Sequence, residues 1–240
     1  MQSRSAGPRT AVIWAVLRAE LAAQSGRVLS IVDVGGGTGG FAVPLAEAGH
    51  TVTVVDPSPD ALAALLRRAA DAGVADRVRG LQGDADSLAE LVPENEADLV
   101  LCHAVLEVVD DPPGVSSALA RVLRPGGAAS VLVANRAAAV LSRAIAGQFR
   151  VATDLITAQD ARVAGRDALL RRFDVSSVTD LLSAAGLTVE EVHGVRVVAD
   201  LVPGVVADAD PEGLAAFELA SSALPPYRDF ATQLHLLARK

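Results

Sequence analysis

The sequence predicts an α/β protein built on a doubly wound, mostly parallel β-sheet. Short apolar runs alternate with helical stretches along most of the chain, and this alternation is typical of parallel βαβ units with right-handed crossovers. Hydrophobic residues make up 51% of the 240 residues, which is sufficient for a sizeable buried core. We therefore expect a single domain over residues 1–240.

Seven segments are predicted to be strands, because each is a short apolar run bounded by glycine or polar residues. They cover 28–34, 51–56, 78–82, 97–102, 128–134, 187–198 and 232–238. Helices are expected between them, and glycines such as Gly49, Gly73 and Gly186 would end them. These helices cover 38–48, 59–72, 85–91, 114–123 and 175–185, with an N-terminal helix over 8–25.

The alternation stops after the fifth strand. Residues 136–172 contain no convincing strand and are rich in alanine and arginine. We interpret this stretch as a helical cap or insert over the top of the sheet.

Composition excludes several classes of site. Cys102 is the only cysteine, so an intramolecular disulfide and a cysteine-based zinc site are excluded. The only lysine is Lys240, which argues against a catalytic lysine inside the fold. The four histidines are scattered without the spacing of metal ligands, so we expect no metal.

Charge and hydropathy bear on partners and location. The net charge of −8 is not that of a protein with a broad basic face for nucleic acid. No apolar run approaches the roughly 18 residues of a membrane span, and Arg18 and Glu20 interrupt the N-terminal helical pattern. We expect a cytoplasmic protein without a membrane partner.

The strongest local signal is the glycine-rich segment Val32-Asp33-Val34-Gly35-Gly36-Gly37-Thr38-Gly39-Gly40, between the first strand and a helix. Glycines here allow the backbone to approach a ligand closely. Asp56 ends the second strand about twenty residues further on, where an acid can accept hydrogen bonds from a ribose. The segment therefore predicts a nucleoside-containing cofactor.

Two cofactor classes fit this loop. Its glycine spacing satisfies the dinucleotide fingerprint and also the D-x-G-x-G-x-G loop of class I S-adenosylmethionine methyltransferases. Asp33 favours the second class, because it would repel a pyrophosphate and attract a sulfonium or ammonium group. Asp33 could instead accept hydrogen bonds from the loop amides. The only tyrosine, Tyr227, lacks the lysine partner of a short-chain dehydrogenase.

Further segments resemble those of class I S-adenosylmethionine methyltransferases. They are Gly83-Asp84-Ala85-Asp86 after the third strand, the fourth strand leading to His103, and Leu123-Arg124-Pro125-Gly126-Gly127 before the fifth. The resemblance implies the Rossmann-like, seven-stranded fold of that class, with S-adenosylmethionine as cofactor.

A closer resemblance spans nearly the whole chain. His103-Ala104-Val105-Leu106-Glu107-Val108-Val109-Asp110-Asp111-Pro112, Ala146-Gly147-Gln148-Phe149 and Gly194-Val195-Arg196-Val197 are similar to segments of bacterial tRNA 5-carboxymethoxyuridine methyltransferases. That family esterifies the carboxylate of a wobble uridine. The resemblance implies cofactor contacts at Arg9, Gly35, Gly36, Asp56, Ala85, Asp86 and His103, with Arg9 reaching the methionine carboxylate.

The resemblance implies an anionic acceptor, which needs a cationic partner and no general base, since a carboxylate is already ionised at neutral pH. We therefore assign no catalytic acid or base. Arginines of the insert and of the late strand are candidates to bind the acceptor: Arg196 first, Arg150 next, then Arg136 and Arg143.

The chain departs from the family in two places. Residues 151–162 contain no lysine where the family is lysine-rich, and Val108 replaces a tryptophan. Arginines at 162, 166, 171 and 172 could bind phosphate instead, or could lie on a solvated helical face.

Three alternatives to a tRNA methyltransferase stay open. The missing lysines favour a small-molecule or natural-product methyltransferase. A nicotinamide-dependent oxidoreductase is disfavoured by Asp33 and by the missing lysine. A cofactor-binding or scaffold protein without catalytic activity is also compatible with the fold.

Overall fold

The computed structural model describes residues 7–24, 26–157 and 171–240. Its strands form one seven-stranded sheet in the order β3-β2-β1-β4-β5-β7-β6. They are β1 (Ser30–Val34), β2 (Thr51–Asp56), β3 (Val78–Gln82), β4 (Ala97–His103), β5 (Leu123–Ala134), β6 (Thr188–Val195) and β7 (Gln233–Arg239). β1 pairs in parallel with β2 and β4, β2 with β3, and β4 with β5. The predicted fold class is confirmed.

The helices occupy the connections between the strands. They are α1 (Ala11–Ala23), α2 (Ala42–Glu47), α3 (Pro59–Asp71), α4 (Leu88–Leu91), α5 (Pro112–Val122), α6 (Arg136–Ile145), α7 (Phe149–Thr157), α8 (Val175–Ala184), α9 (Gly204–Ala209), α10 (Pro211–Ser221) and α11 (Tyr227–Phe230). No helix among the residues described is long and apolar enough to cross a membrane.

Several predicted boundaries are wrong, for local reasons. The helix expected over 38–48 begins only at Ala42, because the preceding residues form a turn in which the Gly39 amide donates to the Gly36 carbonyl at 3.0 Å. The late strand expected to reach residue 198 ends at Val195, because Arg196 adopts a φ of 60°. The helices α9, α10 and α11 were not predicted from the sequence.

α6 and α7 lie within the predicted insert. Residues 158–170 of that segment, with Arg162 and Arg166, lie outside the described residues, as does Ser25 of the predicted N-terminal helix.

The chain forms two compact units. The first contains the described residues of 1–26, 133–178 and 191–236, and the second contains 27–132, 179–190 and 237–240. The single domain expected over 1–240 stays a prediction.

In the second unit, the parallel strands β1, β2 and β4 are paired in register, so their carboxyl ends meet at one edge of the sheet. Their last residues are Val34, Asp56 and His103. Leucine, valine and isoleucine side chains such as Ile31 and Leu101 are fully buried along these strands. This core fixes the positions of the glycine-rich segment, Asp56 and His103.

In the first unit, hydrogen bonds from Asn135 and Gly194 connect segments near α6 and α10 that are distant in the sequence. Asn135 caps α6, because its Oδ1 accepts a hydrogen bond from the Ala137 amide at 3.0 Å. Its Nδ2 donates to the carbonyls of Asp229 and Ala231 at 2.9 and 2.8 Å. The Gly194 amide donates a hydrogen bond to the Ser222 carbonyl, just after α10, at 2.7 Å.

Candidate active site

The glycine-rich segment leaves β1 as a tight turn whose glycines are required by packing. The Gly35 amide donates to the Val55 carbonyl at 2.7 Å, and Gly35 has a φ of 69°. A Cβ on Gly35 would lie 2.5 Å from Val105 Cγ2, and one on Gly36 would lie 2.5 Å from Asp33 Oδ2. Both contacts are too close for any side chain, so the backbone at Gly35 and Gly36 is the only part that a ligand can meet.

Asp56 links this turn to the end of β2. Its Oδ2 accepts from the Gly37 amide and its Oδ1 from the Ser58 amide, both at 2.9 Å. Each carboxylate oxygen can accept a further hydrogen bond, because an ionised carboxylate offers about four lone pairs. The side chain is therefore oriented by the protein and still able to accept from two neighbouring hydroxyl groups.

Asp33 lies under the turn and is almost completely buried. Its Oδ2 has no hydrogen-bond partner among the described residues. Burial, and then the nearby charge of Asp56, raise the pKa of Asp33 to about 7. Oδ2 of Asp33 therefore accepts no hydrogen bond from the loop amides, which was the alternative role considered for this residue. A positively charged ligand nearby would favour the ionised form of the Asp33 carboxyl.

His103 is held at the end of β4 in a neutral form. Its Nε2 is 2.9 Å from Ser130 Oγ, and the Phe41 ring meets it edge-on with centroids 4.8 Å apart. Burial lowers the pKa of His103 to about 3, so the ring carries no charge near neutral pH. A neutral imidazole here can donate or accept a hydrogen bond without repelling a cation.

Ala85 and Asp86 follow β3 and differ in exposure. Ala85 is buried, whereas Asp86 is exposed. Asp86 lines a cavity of about 400 Å³ together with Asp111 and Arg121. Desolvation, and then the carboxylates of Asp84, Asp110 and Asp111, raise the pKa of Asp86. Its assignment as a cofactor contact stays a prediction.

These residues fit S-adenosylmethionine. The turn leaves open space on its outer side, since a Cβ on Gly40 would meet nothing within 4 Å. The backbone there can approach a ligand, Asp56 can accept from ribose hydroxyls, and Asp33 can face positive charge. Among the described residues, no group of histidine, cysteine and carboxylate side chains could hold a metal ion.

The first unit contains a cavity of about 420 Å³ that is rich in arginine. Arg143, Arg172 and Arg196 line it, and Asp200 is the one acidic residue among the described residues of its lining. The polar part of the lining also includes Asn135, Ser142, Thr232 and Gln233, and the apolar part includes Leu141, Ile145, Leu201 and Phe230. Such a lining suits a ligand with one anionic group and an apolar or planar body.

The other predicted arginines are placed differently. Arg9 Nη2 lies 3.3 Å from Asp200 Oδ1, and Arg196 Nη1 lies 3.6 Å from Asp200 Oδ2, so both guanidinium groups share one carboxylate. Arg136 pairs with Asp174. Arg150 is exposed on α7 and is not part of the cavity lining. The acceptor roles of Arg196 and Arg150 stay predictions.

No site role was predicted from the sequence for Asp200, Asn135, Phe230 and Gln233. They lie on three separate stretches of the chain; Asp200 follows Arg196 by four residues, whereas Asn135, Phe230 and Gln233 have no local spacing that connects them with it. Three arginines of this cavity were named from the sequence: Arg196 from the resemblance around residues 194–197, and Arg143 and Arg172 from the predicted insert.

Comparison with known proteins identifies the class. Residues 32–131 match a family model described as a methyltransferase domain. A solved S-adenosylmethionine-dependent methyltransferase from Mesorhizobium loti superimposes with a TM-score of 0.65 at 24% identity, covering 98% of this chain and all of that one. Magnesium protoporphyrin IX methyltransferase from Synechocystis, solved with S-adenosylhomocysteine, also has a TM-score of 0.65, at 16% identity over 97% of this chain and 84% of that one. The protein is an S-adenosylmethionine-dependent methyltransferase.

Similarity to a characterised enzyme identifies the family within this class. The chain is 31% identical over 233 residues to the tRNA 5-carboxymethoxyuridine methyltransferase of Escherichia coli K12, covering 97% of this chain and 88% of that enzyme. A ubiquinone biosynthesis O-methyltransferase of Methylobacterium nodulans is 38% identical over 121 residues, which is 50% of this chain and 46% of that enzyme. The chain belongs to the family of the Escherichia coli enzyme.

Proposed function

We propose that this methyltransferase esterifies a carboxylate, and that its acceptor is the 5-carboxymethoxyuridine at the wobble position of tRNA. The proposal of a carboxylate acceptor is supported by the cavity lined by Arg143, Arg172 and Arg196. The tRNA substrate is supported by the relationship to the Escherichia coli enzyme over 97% of the chain.

In this proposal, some residues bind the cofactor and others bind the acceptor. When bound, S-adenosylmethionine would supply an electrophilic methyl group on a positively charged sulfur, with S-adenosylhomocysteine as the leaving group. Asp56 orients the ribose, and Arg196 pairs with the carboxylate so that its desolvation is compensated. No proton moves, so the chain needs no general base.

Phe230 and Leu201 give the cavity an apolar side that suits the uracil ring. A planar ring can stack on Phe230, as unpaired RNA bases stack on aromatic side chains. Arg150, exposed outside the cavity, is proposed to contact the acceptor away from its carboxylate.

A small-molecule acceptor is the second candidate. The apolar half of the cavity would suit a hydrophobic acid, and the net charge of −8 does not favour polyanions. In that case free organic acids would be methylated and tRNA would not.

The direct test offers the protein both kinds of acceptor. Purified protein is incubated with isotopically labelled S-adenosylmethionine and tRNA that carries 5-carboxymethoxyuridine, and the digested nucleosides are analysed by mass spectrometry. We expect the methyl ester at the wobble position and no label in tRNA with plain uridine there. Label in an organic acid, with none in modified tRNA, would replace the tRNA proposal by the second candidate.

The role of Arg196 has its own test. Arg196→Ala should lower kcat/KM for the acceptor about 10- to 100-fold, since a charge-assisted hydrogen bond contributes about 1.5–3 kcal/mol. Cofactor affinity and melting temperature should stay close to those of the parent protein. Arg67→Ala, which removes an exposed arginine from α3, is the matched control. An Arg196→Ala protein with full activity would exclude Arg196 as the acceptor's partner.

A further inference from the structure

Glu218, a fully buried carboxylate on α10, has no part in the site described so far. It is 0% exposed, and both of its oxygens are used. Oε2 accepts from the Val197 amide at 2.8 Å, and Oε1 accepts from the amides of Val198 and Ala199, each at 2.9 Å. One side chain therefore binds three consecutive backbone N–H groups.

The geometry explains why this position carries a carboxylate. Consecutive amides that point to one place need an acceptor, since a buried N–H without a partner is strongly unfavourable. A carboxylate has two accepting oxygens and no donor, whereas glutamine would turn an NH₂ group towards one of the amides. Hydrogen bonds from three backbone amides compensate the burial of the Glu218 carboxyl group.

These amides belong to the turn that carries two of the cavity's charged residues. Arg196 and Asp200 flank Val197, Val198 and Ala199, and both line the arginine-rich cavity. Arg196 has a φ of 60°, in the left-handed region that most side chains avoid. Its carbonyl accepts from the Thr232 amide at 3.1 Å. The backbone is thus fixed on both sides of the Arg196 side chain, by Thr232 and by Glu218.

We propose that Glu218 is a positioning residue for the acceptor, because it holds the turn 196–200 in the conformation that presents Arg196 and Asp200 to the cavity. This inference rests on the proposed function of the cavity as the acceptor site. Glu218 itself does not touch the acceptor. It acts through Arg196, whose guanidinium would otherwise lose its fixed direction.

The first experiment compares Glu218→Gln with Ser221→Ala. We expect Glu218→Gln to raise the acceptor KM about tenfold, with kcat and the Kd of S-adenosylmethionine changed less than twofold. Ser221 is buried one turn further along α10 and donates to the Phe217 carbonyl at 2.7 Å, so its variant disturbs the same helix without a bond to the turn. That control should leave the acceptor KM unchanged.

A double-mutant cycle with Arg196→Ala shows whether Glu218 acts through Arg196. If it does, Glu218→Gln should raise the acceptor KM in the parent protein but add less than twofold in the Arg196→Ala background. Independent, multiplying effects would overturn the inference. If Arg196→Ala alone leaves the acceptor KM unchanged, the proposed acceptor site is wrong, and that result is distinct from a failure of Glu218 alone.

Stability is measured alongside to exclude a merely structural role. A Glu218→Gln protein that loses melting temperature, cofactor affinity and acceptor affinity together would contradict a positioning role. Glu218→Asp provides a second variant, because it keeps the charge and shortens the reach by one methylene. We expect an acceptor KM between those of the parent and Glu218→Gln, and a KM equal to that of the parent would also count against the inference.

Discussion

Ionisation of the buried Asp33 carboxyl opposes folding. In the folded protein the pKa of Asp33 is about 7, against 3.8 for an ordinary aspartate, mainly because the carboxyl is buried. The folded state therefore keeps a proton that the unfolded state loses, and stability falls as pH rises from about 4 to 7. One pKa unit corresponds to about 1.4 kcal/mol, so the full effect is at most about 4 kcal/mol.

We expect Asp33→Asn to remove this pH dependence. The variant should be more stable than the parent by about 1–4 kcal/mol at pH 8 and equally stable near pH 4, because asparagine has no charge to bury. Denaturant unfolding at a series of pH values measures the difference. Asp76→Asn, at an exposed position, is the control. A stability difference that is constant between pH 4 and 8 would show that Asp33 is ionised in the folded protein.

Arg9 is paired with Asp200, yet its side chain is 67% exposed. An exposed ion pair contributes little to stability, so the guanidinium is available to another anion. We expect Arg9→Ala to lower the affinity for S-adenosylmethionine about tenfold through loss of a carboxylate contact, with little change in melting temperature. Calorimetric titration measures the affinity, and Arg18→Ala, which removes an exposed arginine from α1, is the control. Equal affinities in the two variants would remove Arg9 from the cofactor site.

At the scale of elements, the strands were predictable and several helices were not. β1, β2 and β4 are short, largely buried runs rich in valine, isoleucine and leucine, and such runs are a strong signal in a single sequence. α10 buries only Glu218 and Ser221, so its hydropathy pattern could not reveal which side faces the core. The glycine-rich segment was found because local glycine spacing determines the cofactor turn. Arg143, Arg172 and Arg196 of the arginine-rich cavity were named from the sequence, but the rest of its lining was not, because those residues come together only through tertiary packing.

Asn135 is the side chain that joins α6 to the segment before β7. Asn135→Ala would remove the cap of α6 and leave the carbonyls of Asp229 and Ala231 without their donor. We expect a loss of about 2–4 kcal/mol, since a helix cap contributes about 1 kcal/mol and a buried unpaired polar group costs about 1–3 kcal/mol. Asp111→Ala removes only the cap of α5, where Oδ1 accepts from the Gly114 amide at 3.1 Å, and should cost about 1 kcal/mol. Chemical denaturation measures the free energy of unfolding of both variants. Equal losses in Asn135→Ala and Asp111→Ala would show that the hydrogen bonds to the two carbonyls contribute nothing to stability.

At the scale of the whole molecule, the net charge of −8 limits how the protein can bind a polyanion. Each phosphate that pairs with an arginine releases counterions, so the affinity for a nucleic acid falls steeply as salt rises. We expect a protein with this charge to form only a few such pairs. Recognition of tRNA would then depend mainly on the modified base and its carboxylate.

Salt dependence therefore separates the two candidate acceptors. If tRNA is bound through two to four phosphates, kcat/KM should fall about 7- to 50-fold between 50 and 200 mM salt, from the counterion slope of single strands. A free carboxylic acid held by Arg196 in a partly buried cavity should lose less than about threefold, because buried pairs are screened weakly. Arg150→Ala should reduce the slope for tRNA by about one phosphate, whereas Arg196→Ala should lower kcat/KM at every salt concentration. A flat salt profile for tRNA would mean that phosphate contacts play no part in binding it.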